Sequence, residues 1–148
     1  TLLKRKKNLT VVTNSIALLY NLEHSGHQII LLGGQVHFPG RRTTPTDVDY
    51  IASNMYFDLA ILGMDGCLNL DGPANILGDI IGVSKTIIKR SNKKLLICES
   101  RKFHTIGYYQ YAKFSDFDYV ITGKLTQEEK NEYNESYNKF VGSTSTSM

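Results

Sequence analysis

Asp58-Leu-Ala-Ile-Leu-Gly-Met-Asp-Gly66 reads as an apolar strand running straight into Gly-x-Asp-Gly, and this stretch decides the fold class. A short apolar run bounded by turn residues is the pattern of a strand buried in a parallel sheet. A carboxylate and flexible backbone at its carboxyl end stand where open α/β sheets bind small ligands. Two other runs end in the same way: Lys94-Leu-Leu-Ile-Cys98 enters Glu99-Ser-Arg-Lys-Phe103, and Leu9-Thr-Val-Val-Thr13 enters Asn14-Ser15. Three strand ends carrying polar groups predict one pocket.

Helical patterns fall between these strands. Asn14 or Ser15 can cap a helix through Leu22, after which Ser25-Gly26 breaks the chain before the strand Gln28-Ile-Ile-Leu-Leu32. Leu9 to Thr13 is expected to be a central strand, buried on both faces. Gly33-Gly34 ends the second strand, and the segment to Thr44, with Pro39-Gly40, reads as a loop. Thr46 and Asp49 resemble a capping box for a helix whose apolar face is Val48, Ile51, Ala52 and Met55. Residues 63–78 form a long glycine-rich loop of the functional kind. Ile80, Ile81, Val83, Ile87 and Ile88 give the next helix face, ending at Lys89-Arg90, where cations suit the helix dipole. Asp118-Tyr-Val-Ile-Thr122 is a last short strand. Thr126 and Glu129 cap a polar helix with the stripe Tyr133, Tyr137 and Phe140. The expected class is α/β, a parallel sheet covered on both faces and built by right-handed crossovers. Residues 1–8 form a basic segment, 9–141 the domain, and 142–148 a flexible tail.

At 148 residues and 41% hydrophobic content the chain can bury the core of one domain. Cys67 and Cys98 sit on or beside apolar runs and read as small buried residues. With His24, His27, His37 and His104 they show no zinc spacing, so neither metal nor cofactor is expected. No apolar stretch nears the roughly 20 residues that span a bilayer, and the start lacks a signal h-region, so a cytoplasmic protein without a membrane partner is expected. Much of the net charge of +3 comes from Lys4, Arg5, Lys6 and Lys7, read here as a solvated segment before a strand.

Each candidate binding residue has two readings. Asn14 and Ser15, with the free amides of a helix start, make an anion site or a plain N-cap. Gly33 and Gly34 permit close backbone approach or simply a turn. Asp65 and Gly66 can meet sugar hydroxyls or brace their own loop as an Asx-turn. Lys102 can hold a phosphate as a point charge, with Ser100 beside it, or be an exposed lysine on a turn.

The ordered set Leu9-Thr-Val-Val-Thr-Asn-Ser15, Leu31-Leu-Gly-Gly34, Phe57-Asp-x-Ala-x-Leu-Gly-x-Asp-Gly66, Ser100-x-Lys-Phe103 and Asp116-Phe-Asp-x-x-Ile-Thr122 resembles the effector-binding domain of DeoR-family bacterial transcription regulators. The resemblance implies a Rossmann-like layered fold similar to ribose-5-phosphate isomerase and glucosamine-6-phosphate deaminase, and a phosphorylated sugar or related metabolite as inducer. It also implies a winged helix-turn-helix ahead of the domain, so that DNA is met only through a part outside this chain, and a homo-oligomer. No catalytic residue is expected. Where the family usually carries Gly-Leu-Thr-Thr and a Glu-Glu-Ala-x-Val-Lys helix start, this chain has Gly72-Pro-Ala74-Asn75 and Asp79-Ile80-Ile-Gly-Val-Ser84, with Lys85 adjacent. Glu99 and Arg101 replace the usual Asp and Ser of the lysine turn. These changes remove hydroxyls and a cation from the implied pocket. A second class, an isomerase or deaminase on the same fold, would have to use Asp65, the one strand-end carboxylate, without a close His or Glu partner. A third, an interaction module, would use Tyr108-Tyr-Gln-Tyr111 and the Tyr133, Tyr137 and Phe140 stripe.

Overall fold

The computed structural model describes residues 2–126, 128 and 140–142; Glu129, Tyr133, Tyr137 and the tail from 143 lie outside the described residues. The chain forms two compact units, one running to Val48 and the other from Asp49.

In the first unit β1 (Thr10–Thr13) and β2 (Gln28–Leu31) pair in parallel, Thr10 opposite Gln28 and Thr13 opposite Leu31, with α1 (Ile16–Asn21) between them. The strand, helix, strand unit read from the sequence is present, although β1 is only half-buried where a fully buried strand was expected. The segment expected to be a loop instead forms an antiparallel hairpin, β3 (Gly34–His37) against β4 (Arg42–Pro45). Its strands are short, polar and bounded by Gly and Pro, so period-2 alternation is nearly invisible in them. The four-residue connection closes with Arg41 in the left-handed region, at φ 46°. Gly34 has φ 149°, and a Cβ there would lie 2.0 Å from the Thr44 carbonyl oxygen, so strand pairing itself demands glycine.

α2 (Val48–Asn54), in the second unit from Asp49 on, leads to β5 (Phe57–Leu62), and α3 (Ile81–Lys89) leads to β7 (Ser91–Ile97). β9 (Tyr119–Thr122) and β10 (Phe140–Gly142) complete a four-stranded parallel sheet in the order β10-β9-β7-β5. The architecture is therefore mixed α/β around a parallel sheet. Phe140, expected on a helical stripe, instead pairs with Val120 as a strand residue. The long loop after β5 is ordered: β6 (Ala74–Asn75) pairs antiparallel with β8 (Tyr109–Gln110), and Gly66 bridges Ala74.

Alternation along the parallel strands sends Ala60, Leu96 and Val120 into the interior. Leu96 and Val120 join a core with Met64, Cys67, Phe103, Tyr111, Phe114, Phe117 and Leu125, and Phe103 stacks on Phe114 at 5.9 Å. Ile81 and Ile88 of α3 pack against it. The opposite face carries Leu59, Ile61, Ile97 and Tyr119, each about half exposed. Covering on both faces was expected. The described connections, β5 to β7 and β7 to β9, step across the sheet in one direction.

Candidate functional site

The carboxyl ends of β5, β7 and β9 gather most of the polar chemistry of the second unit. Asp65 follows β5. Its backbone N–H donates to Ala74 O at 2.9 Å, and its carboxylate Oδ2 accepts from Ile76 N–H at 3.0 Å. One carboxylate oxygen thus braces the loop, through a residue eleven positions on rather than as an Asx-turn, and the half-buried residue keeps a second oxygen. Gly66 is buried and exchanges hydrogen bonds with Ala74, and a Cβ on it would fall 2.2 Å from Thr105 O. Close packing within the unit requires this glycine.

After β7 the chain turns through a short 3₁₀ helix, Ser100–His104. The Lys102 carbonyl accepts from Cys67 N–H at 3.2 Å, which fixes the residue against the core. The residue is half-buried, and its ammonium makes no ion pair among the described residues. Arg101 instead pairs with Glu99, a pairing that holds the Glu99 carboxyl below its ordinary range. Ser100 lies against the β9 exit, since a Cβ on Gly123 would stand 3.3 Å from Ser100 Oγ.

Three further residues join these ends, and sequence reading passed over them as site residues. Tyr111 is 5% exposed, and its hydroxyl donates to Gly63 O at 2.6 Å. Burial, with the neighbouring Cys98 and Asp65, pushes its phenol far up, so it remains a protonated donor. Burial likewise raises the Cys98 thiol, opposed by the Thr122 hydroxyl and the Lys102 ammonium. Thr122 Oγ1 sits near that sulfur, buried and without a partner of hydrogen-bond geometry among the described residues. Tyr111 thus stands near Cys98 and Asp65, and Cys98 near Lys102 and Thr122, at these strand ends. The signal available in sequence was positional: Cys98 and Thr122 occupy equivalent places at the ends of adjacent strands, and Cys98 N–H donates to Ile121 O at 3.0 Å.

Three of the four candidate residues of the first unit, Asn14, Ser15 and Gly34, are committed to structure. Asn14 Nδ2 donates to Thr43 O at 2.9 Å, and Ser15 Oγ accepts from Leu18 N–H at 3.1 Å as the N-cap of α1. The amides of Ile16 and Ala17, expected to be free for an anion, donate to Arg41 O at 2.9 and 3.4 Å. Gly34 is held by the hairpin. Gly33 is exposed, with open space where a side chain would project. A groove of about 520 Å³ lies along α1 and the hairpin, lined by Ile16, Ala17, Tyr20, Asn21, Phe38 and Arg41. It includes none of the residues singled out from the sequence. No group of three or more His, Cys, Asp or Glu side chains suited to a metal occurs among the described residues, and no helix among them is long and apolar enough to cross a membrane.

Comparison with known families places residues 1–124 on the model described as the DeoR C terminal sensor domain. The chain belongs to this family. It is 28% identical over 120 residues to the HTH-type transcriptional repressor GlcR of Bacillus subtilis (strain 168), covering 80% of this chain and 46% of that protein. Against the glycerol-3-phosphate regulon repressor of Haemophilus influenzae it is 25% identical over 139 residues, 91% of this chain and 53% of that protein. It is 26% identical over 117 residues to the uncharacterized HTH-type transcriptional regulator YgbI of Escherichia coli (strain K12), covering 78% and 46%. The sensor-domain chain thus spans about half the length of the curated relatives it matches.

Proposed function

We propose that this sensor domain serves a cytoplasmic DeoR-type repressor by binding a small phosphorylated metabolite at the carboxyl ends of β5, β7 and β9, without catalysing a reaction on it. The observation that carries this reading is Lys102, a half-buried residue whose ammonium makes no ion pair among the described residues, at strand ends that also carry the Asp65 carboxylate. A positive charge without a partner at a strand end attracts an anionic oxygen. In this reading Lys102 takes the phosphate, the second oxygen of Asp65 accepts from ligand hydroxyls, and Gly66 shapes the loop that carries it. Asn14, Ser15, Gly33 and Gly34 serve the first unit as cap, brace and turn, with Gly33 the one whose backbone stands open. The parallel sheet with its strand-end cluster supports a layered fold similar to ribose-5-phosphate isomerase and glucosamine-6-phosphate deaminase. The repressor names of the relatives support DNA as the partner of the whole regulator; a homo-oligomer as its working form is part of the same proposal.

An isomerase or deaminase needs a base and an acid or second proton carrier at the reacting carbon. Here Asp65 is partly spent on Ile76 N–H, and burial and its neighbours lock the proton on Tyr111. These observations favour the sensor over the enzyme.

The test is thermal unfolding against a panel of glycerol 3-phosphate, glucose 6-phosphate, fructose 6-phosphate and inorganic phosphate. A ligand at a hundred times its Kd adds about 2.7 kcal/mol of stability. Stabilisation by at least one sugar or polyol phosphate, and less by inorganic phosphate, is expected; a flat response across the panel, or turnover of any member that disappears in Asp65→Asn, contradicts the reading.

A further inference from the structure

The four consecutive cations Lys4, Arg5, Lys6 and Lys7 are all exposed, and none makes an ion pair among the described residues. They account for the sign of the whole chain: without them its net charge of +3 becomes a charge of one negative. Like charges this close repel, and a loose segment would relieve the repulsion by spreading. This one is held instead. Residues Leu2–Arg5 form a 3₁₀ turn, and Lys6 N–H donates to Leu3 O at 3.0 Å. His27 Nε2 hydrogen-bonds the same carbonyl at 3.0 Å while its Nδ1 accepts from Leu9 N–H at 3.4 Å. One imidazole thus pins both ends of the basic segment to the start of the β1–β2 sheet. The left-handed Asn8, at φ 57°, makes the bend between them, and Gln28 N–H donates to Leu9 O at 2.9 Å. The result is a compact cationic knob, ordered by neutral contacts that leave every charge free for an outside partner.

From this geometry we infer that the sensor domain itself contacts DNA, through phosphate oxygens held by Lys4, Arg5, Lys6 and Lys7, and so adds a sequence-independent share to the regulator's affinity. Point charges on a short turn suit the regularly spaced phosphates of a duplex and carry no base-reading group, so they position rather than specify. The choice of DNA over other polyanions rests on the regulator reading above.

The experiment measures binding of this chain to a labelled 20-base-pair duplex of arbitrary sequence by fluorescence anisotropy, from 20 to 200 mM salt. Each phosphate contact contributes about −0.9 to the slope of log K against log salt. The wild-type chain is expected to show a slope of about −2 to −4, and a variant with Lys4, Arg5, Lys6 and Lys7 all replaced by Gln is expected to lose binding at least tenfold at the lowest salt, with a slope near zero. A charge-matched control, Gln at Lys85, Lys89, Lys113 and Lys124, should keep the wild-type slope. Equal loss in the two variants, an unchanged slope in the first, or binding to phosphatidylserine vesicles with none to the duplex overturns the inference. Stabilisation by sugar phosphates is read separately and should be the same in the Lys4–Lys7 variant, so failure here and failure of the sensor reading give different results.

Discussion

The two units spend their polar residues differently. In the first, the Asn14 amide nitrogen, the Ser15 hydroxyl and the amides at the start of α1 are engaged by Thr43, Leu18 and Arg41 of the same unit. In the second, among the described residues, Lys102 keeps an unpaired charge, Asp65 keeps an oxygen, and Thr122 keeps a buried hydroxyl without a partner. A folded chain satisfies its buried polar groups unless something else is meant to do so. The contrast therefore separates residues that build the scaffold from residues with capacity left for a ligand. Support differs too: the strand ends of the second unit rest on a contiguous core containing Phe103, Phe114 and Phe117, each at most 2% exposed. Rigid backing of this kind holds a binding constellation in place.

Cutting into that core should give the largest effect. Leu96→Ala, at a fully buried position of β7, is expected to cost about 2–5 kcal/mol in urea unfolding. A cost below about 1 kcal/mol would mean that the sheet of the second unit is not the rigid element assumed here. Next in size is Gly66→Ala. Its Cβ would lie 2.2 Å from Thr105 O, and overpacking of this kind costs about 1–3 kcal/mol. Wild-type stability in this variant would remove the packing account of Gly66 and restore a purely ligand-facing role.

Ser15→Ala sharpens the contrast from the other unit. Loss of the α1 cap should cost about 0.5–2 kcal/mol while leaving sugar-phosphate affinity where it was. Weakened ligand binding without loss of stability would reverse the assignment. Thr122→Val tests the spare hydroxyl: removing a buried group with no partner should leave stability unchanged or raise it by up to about 1 kcal/mol, whereas a clear loss would show a working hydrogen bond to Cys98. The smallest effect is one of pH. The Lys94 N–H, and then Lys93, hold the Asp118 carboxyl below its ordinary value of 3.8. Asp118 therefore contributes stability that is fully present above pH 3.8 and fades as the pH falls through its folded value. Asp118→Asn should flatten the stability profile in that acid window and nowhere else.

The apolar runs behind β1, β2, β5, β7 and β9 were legible because each is a short run of apolar and β-branched residues bounded by turns, and α3 because Ile81, Val83, Ile87 and Ile88 keep a helical spacing. The β3–β4 hairpin was not. Gly34, Gln35, Arg42 and Pro45 carry no strand pattern, and pairing rather than propensity makes them strands. The two-residue strands β6 and β8 are equally silent in sequence. At the site, Asp65 and Lys102 announced themselves as charged residues after strands. Cys98, Tyr111 and Thr122 look like core residues until neighbouring strands bring their polar atoms together. The α1 amides misled in the opposite sense, because the carbonyl that takes them, Arg41 O, comes from a hairpin the sequence did not reveal.

The most direct test of the central claim is isothermal titration of the wild-type chain, Lys102→Ala and Ser15→Ala with whichever sugar phosphate stabilises the wild type most. A hydrogen bond to a charged group is worth about 1.5–3 kcal/mol, so Lys102→Ala should weaken binding by about tenfold or more while Ser15→Ala binds as the wild type does. Equal affinity in Lys102→Ala and the wild type, or loss confined to Ser15→Ala, would place the ligand elsewhere and contradict the account.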